Sequence, residues 1–225
     1  MSGKQTTILT PFQAKIFPFL TQNKLINQNF YFTGGTALAE FYLHHRLSQD
    51  FDFFTRKKFD YQELRISLEA IFQKFKIDSI QYREGLTSKI FFLHRGKKEI
   101  IKLEFSYFPF KRLAKGKRSG SLIIDSLLDI AVNKLHALLT RATARDFVDF
   151  YFIQKLKPFK LDFLLQHLKR KFLWNIDPLF LASRLATVPK LKDFPKIILP
   201  FNEKEFENYF LNLASNLKEK IIQNY

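Results

Sequence analysis

The chain has 225 residues, 46% of them hydrophobic, with 37 Lys+Arg against 21 Asp+Glu, a formal charge of +16. That apolar fraction can fill a core, so wholesale disorder is excluded, and the length suits one large domain or two small ones. Cysteine is absent, which removes disulfide frameworks, Cys-ligated zinc, iron–sulfur clusters and Cys nucleophiles.

No run approaches the ~18 uncharged apolar residues of a membrane helix. The opening stretch MSGKQTTILTPFQAKIF carries Lys4 and Lys15 and no small-residue cleavage site, so the expectation is a cytoplasmic protein without a secretory leader or membrane partner. Charge is uneven: residues 1–120 hold 21 Lys+Arg against 10 Asp+Glu, and residues 121–225 hold 16 against 11. Such a balance favours a nucleic acid, a nucleotide or an acidic protein as partner. A Lys- and Phe-rich background, with 28 Phe, is the plainer explanation.

In chain order, Phe12, Ile16, Phe19 and Leu20 recur at helical spacing and predict a helix over 11–28. Asn29–Thr33 reads as a short aromatic strand, then come two glycines and a helix over Thr36–His45. Phe51–Thr55 lies in a second strand. Asp60 is an N-cap for an amphipathic helix over Asp60–Phe75, with Leu64, Leu68, Ile71, Phe72 and Phe75 on one face. Three strand-like runs follow, Ile77–Arg83, Ser88–His94 and Glu99–Tyr107, with Gly85 and Gly96 at the turns between them. Residues 111–120 form a basic connector. Beyond it the pattern is helical over Leu127–Thr143, Arg145–Leu156, Leu161–Phe172, Pro178–Thr187 and Glu203–Ile222. The expected sheet has four to five strands.

Three features carry chemistry. Gly34-Gly35 follows a strand and precedes a helix, where glycine lets backbone approach a ligand and N–H groups can hold phosphate; Thr36 adds a hydroxyl. An ordinary strand-to-helix turn would look the same. In Asp50-Phe51-Asp52-Phe53, strand alternation puts both carboxylates on one face and both rings on the other. Paired carboxylates repel unless a cation lies between them, and hard oxygens at this spacing suit Mg²⁺; the alternative is a solvated edge or a helix cap. Glu104 points away from Ile101, Leu103, Phe105 and Tyr107 and makes a third carboxylate if its strand lies beside the first two. Three converging carboxylates are a metal site for in-line phosphoryl transfer. Otherwise Glu104 is a surface residue paired with Lys102 or a neighbour.

The run Phe32-Thr33-Gly34-Gly35-Thr36-Ala37-Leu38-Ala39, then Arg46-Leu47-Ser48 and Asp50-Phe51-Asp52-Phe53-Phe54, resembles the AbiEii/AbiGii-type toxin nucleotidyltransferases of the DNA polymerase β-like superfamily. A second block, Asp129-Ile130 with Lys134, Arg141, Arg145-Asp146 and Asp149, resembles the same family's helical segment. The resemblance implies Mg²⁺-dependent transfer of a nucleoside monophosphate from an NTP, with an RNA such as tRNA as acceptor, by the toxin of a toxin–antitoxin pair. It implies Asp50, Asp52 and Glu104 as metal-binding and catalytic, with Lys134 and Asp146 also catalytic. Gly34, Gly35, Thr36, Lys134 and Arg141 would bind the nucleotide. An antitoxin partner is part of the same expectation. An inactive or regulatory RNA-binding module, or an enzyme with a small-molecule or protein acceptor, are the other readings.

On an unbroken helix Lys134, Arg141 and Arg145 fall within about 40° of one another, a basic stripe for triphosphate oxygens. On that reading Lys134→Met leaves stability near wild type. The alternatives are that Lys134 is a surface residue or an ion-pair partner of Asp129 or Asp125, and that Arg145 and Asp149 form an i,i+4 pair. The expected class is α+β: a nucleotidyltransferase-type mixed sheet with flanking helices over 1–118 and a helical domain over 119–225.

Overall fold

In a computed structural model, residues 7–222 are described, with side chains as far as Lys218. The first six residues, part of the stretch read above for a leader, lie outside them. The chain divides into two compact units, the first ending at Leu127 and the second starting at Leu128.

The first unit opens with α1 (Pro11–Gln22) and α2 (Lys24–Asn29). Thr10 and Gln13 start α1 with a reciprocal pair of hydrogen bonds, Thr10 Oγ1 accepting from the Gln13 N–H and Gln13 Oε1 from the Thr10 N–H. The single helix expected over 11–28 is two, because Asn23 is extended and its side chain accepts from the Ile26 N–H, capping a new start. β1 (Tyr31–Thr33) runs into α3 (Gly34–Leu38), which continues as a π-helical turn over Ala39–Leu43 and ends on His44 at φ 50°. β2 (Asp50–Thr55), α4 (Tyr61–Lys74), β3 (Ser79–Glu84), β4 (Ser88–Arg95) and β5 (Glu99–Tyr107) follow. Asp60 caps α4 as the sequence predicts, its Oδ1 accepting from the Gln62 and Glu63 N–H groups.

The sheet has seven strands, in the order β3-β4-β5-β2-β1-β7-β6. The two unforeseen strands are β6 (Lys117–Ser119) and β7 (Leu122–Ile124), a hairpin turning at Gly120 (φ +57°). Each is three residues long, too short for a period-2 signal, and β7 exists because it lies parallel to β1. The end of the basic connector, Lys117–Ser119, is therefore part of the sheet. Lys117 donates to the Phe41 carbonyl at 2.6 Å and sits 4.3 Å from the Tyr42 ring centre. β2 lies parallel to β5 and antiparallel to β1.

One sheet face is a phenylalanine core. Phe32, Phe51, Phe53, Phe91 and Phe105 are fully buried, and the Phe53 and Phe105 rings stack at 4.9 Å. The aromatic abundance is thus core material, contributing about 0.5–1.5 kcal/mol per ring pair beyond area burial.

The second unit holds α5 (Leu127–Thr140), α6 (Ala144–Leu156), α7 (Leu161–Phe172), α8 (Pro178–Leu185) and α9 (Glu203–Ile222). Its core includes Phe147, Phe150, Phe206 and Phe210. The α+β class expected from the sequence is the class observed, with a larger sheet.

Gly116 enters the hairpin where a Cβ would stand 1.8 Å from the Ile124 carbonyl oxygen. Backbone cannot step aside, so Gly116→Ala must displace the β6–β7 pair. The expected loss is roughly 1–3 kcal/mol, the range for overpacking, read as a lower urea midpoint at unchanged slope.

Candidate active site

The first group of candidate residues lies on the sheet face opposite the phenylalanines. Along β2, Asp50, Asp52 and Phe54 are half-buried while Phe51, Phe53 and Thr55 are buried. The parallel register sets Asp50 opposite Lys102 and Asp52 opposite Glu104, so all three carboxylates share one face, as the alternation predicted.

β1 brings the glycine turn to the same place, since Thr33 is the cross-strand partner of Asp52. Gly34 has φ +78°, and a Cβ on it would lie 2.0 Å from Asp52 Oδ2. A Cβ on Gly35 would lie 2.3 Å from an Arg46 guanidinium nitrogen. Glycine at 34 meets both a positive φ and a close approach; at 35 it meets the approach alone. The turn thus lies between an acidic and a basic side chain. Arg46 is buried at 4% exposure and donates to the Leu47 carbonyl at 2.9 Å.

Thr36 is fully buried, and its hydroxyl is taken up internally. It lies 2.8 Å from the Ser48 hydroxyl and donates to the Asp50 carbonyl at 2.5 Å. Thr36 therefore straps the start of α3 to β2. Thr33 is held in the same way, donating to Asp125 Oδ2 at 2.9 Å, which ties β1 to the end of β7.

Lys102 lies among the carboxylates. Its Nζ is 2.7 Å from Glu104 Oε2 and 3.4 Å from Asp50 Oδ2. Burial alone would pull this ammonium down, but the hydrogen bond to Glu104 and the Asp50 charge raise it above the usual lysine range. Among the described residues no three His or acidic side chains stand close enough to hold a metal ion between them. The donor chemistry nevertheless fits a hard divalent cation: Asp50 and Asp52 offer carboxylate oxygens from one face of one strand, beside the glycine turn.

The second group belongs to the second unit. The basic stripe needs an unbroken helix through Ala142–Ala144, but α5 stops at Thr140, Ala142 takes φ +46°, and α6 starts afresh at Ala144. The break overturns the basic stripe. Lys134 is instead 7% exposed and ion-paired to both Asp146 (2.9 Å) and Asp149 (2.6 Å). Arg141 grips Asp146 with two nitrogens at 2.7 and 2.9 Å, and Thr143 donates to it at 2.7 Å. Asp149 is thus partnered by Lys134, and Asp129 by the buried Lys171 at 2.7 Å. Arg141 keeps 56% of its side chain exposed. Burial alone would push the Asp146 carboxyl up, but the Lys134 and Arg141 charges and hydrogen bonds outweigh it and hold the group well below the usual carboxylate range.

Sequence reasoning named Asp50, Asp52, Glu104 and the glycines, which the strand register brings together. It gave no role to Arg46 or Ser48, although both lie within the first motif, and it named Lys102 only as a partner for Glu104.

A family model described as "Nucleotidyl transferase AbiEii toxin, Type IV TA system" matches residues 19–219. The chain belongs to the AbiEii nucleotidyl transferase toxin family. As an AbiEii member it is a transferase of nucleoside monophosphates, and toxin–antitoxin membership brings an NTP substrate and an antitoxin partner. An uncharacterized protein of Aquifex aeolicus (strain VF5) is 31% identical over 154 residues, 68% of this chain and 70% of that protein. The fold is similar to that of JHP933 from Helicobacter pylori (20% identity, TM-score 0.60, 96% of each chain). It is also similar to that of MenT4, a nucleotidyltransferase toxin of Mycobacterium tuberculosis H37Rv (15% identity, TM-score 0.59, 92% of this chain and 82% of that one). No helix among the described residues is long and apolar enough to cross a membrane.

Two predictions follow from the buried network. Lys134→Met leaves Asp146 and Asp149 without their shared counter-ion, and removing one partner of a buried pair costs about 3–5 kcal/mol. The expected outcome, read by urea unfolding, is a large loss of stability, in place of the neutral effect an exposed stripe would give. Adding Asp149→Asn should recover part of it, because Asp146 keeps Arg141.

Because the folded-state pKa of Asp146 is depressed, its contribution to stability is present above the unfolded carboxyl value of about 3.9 and is lost as pH falls below it. Stability should therefore drop below about pH 4, and Asp146→Asn should lack that part of the slope, measured by denaturant midpoints across pH.

Proposed function

We propose that this AbiEii protein transfers a nucleoside monophosphate from an NTP to a hydroxyl on an RNA acceptor such as a tRNA 3′ end, with Mg²⁺ held by Asp50 and Asp52. The observation that carries the reading is the juxtaposition of three carboxylates with a glycine turn so close that residue 34 has no room for a Cβ. Mg²⁺, when bound, would offset phosphate charge and polarise the α-phosphoryl group.

The protein's own groups divide the remaining work. Backbone at Gly34 and Gly35 receives phosphate oxygens, with Arg46 supplying positive charge beneath the turn. Glu104 accepts the proton of the acceptor hydroxyl as its oxygen bonds to the α-phosphorus. The bond from that phosphorus to the bridging oxygen breaks, and pyrophosphate leaves with the electron pair. Lys102 holds Glu104 and Asp50 in register and limits their mutual repulsion. Thr36 is a positioning residue that fixes the turn against β2. In the second unit, Lys134 and Arg141 both bond Asp146, which fixes the half-exposed Arg141 side chain in place. Support for an RNA acceptor comes from the +16 charge and from Lys111, Lys115 and Arg118, all exposed, in and beside β6.

The test is incubation with each α-labelled NTP, Mg²⁺ and total RNA, followed by a denaturing gel. Wild type should label a discrete RNA. Asp52→Asn should lose at least ~10²-fold in rate, the size of a lost electrostatic contact to the transition state, with an unchanged melting curve. Wild-type rates from an Asp50→Asn/Asp52→Asn double variant would overturn the assignment.

A further inference from the structure

The carboxylate face does not end at β5. The register continues it outward, placing Ile90 opposite Glu104, Phe92 opposite Lys102 and His94 opposite Ile100 on β4. On β3, Arg83 lies opposite Ile90 and Gln81 opposite Phe92. The solvent side of an antiparallel hairpin ordinarily carries polar residues. Here Ile90 and Phe92 are only half-buried, Ile100 is 55% exposed, and the Arg83 guanidinium stands 5.1 Å from the Phe92 ring centre. The buried side of β4 already has its core residues, Phe91 and Leu93, so packing of the first unit does not account for the apolar outer row.

We infer that the outer face of β4 and β3 is a stacking platform for an unpaired RNA stretch leading to the acceptor hydroxyl; this rests on the nucleotidyl-transfer reading above and names where its acceptor lies. Cross-strand neighbours on one face are about 5 Å apart, so a base on Phe92 lies one strand away from Lys102, and one on Ile90 lies beside Glu104. An aromatic ring with an arginine over it offers both stacking and cation–π attraction to any base, whatever its sequence. Charge complementarity points the same way. Arg83 flanks the row on one side, and the exposed Lys97 and Lys98 stand in the β4–β5 turn at its end. Stacking demands unstacked bases, so the occupant is single-stranded, and a duplex, which hides its base faces, is disfavoured.

The experiment measures fluorescence anisotropy of a fluorescein-labelled single-stranded RNA 12-mer, and of its duplex, at several salt concentrations, with the full chain. Phe92→Ala should weaken single-strand binding about tenfold, within the range for one lost base–aromatic stack. Arg83→Gln, on an exposed residue whose replacement leaves the core untouched, should weaken it less and flatten the salt slope by about one phosphate contact. The duplex should bind less tightly than the single strand. Unchanged single-strand affinity in both variants, with native melting curves, overturns the platform and leaves the apolar row to a protein partner. Equal affinity for duplex and single strand also overturns it. Binding of a fluorescent ATP analogue by the unaltered protein, without RNA, separates the two failures. NTP binding with Phe92-independent RNA affinity refutes the platform alone. RNA binding that depends on Phe92, without NTP binding or transfer, refutes the nucleotidyl-transfer reading and retains the platform.

Discussion

Asp52 occupies the space that a side chain on residue 34 would need, and the first unit is arranged around that contact. The antiparallel pairing of β1 with β2 sets Thr33 level with Asp52, so the next residue turns directly over the carboxylate. With glycine there, the turn takes φ +78° and closes down; any Cβ would hold it away. The same closeness recurs one residue on, where Gly35 admits the Arg46 guanidinium. One tight turn is thereby bracketed by an anion and a buried cation. Thr36, Ser48 and the Asp50 carbonyl lock it to the strand that carries the carboxylates.

That strand is held from behind. Phe51 and Phe53 sit in a ladder of rings with Phe32 and Phe105, and burying a side chain of this size is worth about 1.5–3 kcal/mol. Because strand side chains alternate, each ring that enters the core also turns a neighbouring carboxylate outward. The acidic face is thus a by-product of aromatic packing. Its self-repulsion is offset by Lys102, which bonds Glu104 and lies near Asp50.

The second unit handles charge differently. Asp129 with Lys171, and Lys134 with Asp146 and Asp149, are buried pairs that join α5 to α7 and to α6. Such pairs contribute little net stability over apolar replacements, yet breaking one is costly, so they specify which helix faces which. The block of charged residues resembling the family's helical segment is therefore also the joint between α5 and α6. Arg141 is the member of this network with most of its side chain left to solvent.

Local rules made part of this legible before any fold was known. Alternation alone placed Asp50 and Asp52 together, spacing alone made Asp60 a cap, and the apolar set Ile101, Leu103 and Phe105 turned Glu104 to the other side. Those inferences succeed because the backbone period is set within a few residues. Tertiary structure alone decided the others. Nothing near β7 in the chain announces that three residues will pair with β1, some ninety positions earlier. Nothing in the helical period warns that Ala142 will adopt a positive φ and swing Asp146 back onto Lys134. Arg46 looks like any basic residue until the turn beneath which it is buried has formed. Partnership between distant residues depends on which surfaces the whole chain brings together. Charge pairing, more than any other interaction here, is chosen at that late stage, because a carboxylate accepts whichever cation the packing delivers to it.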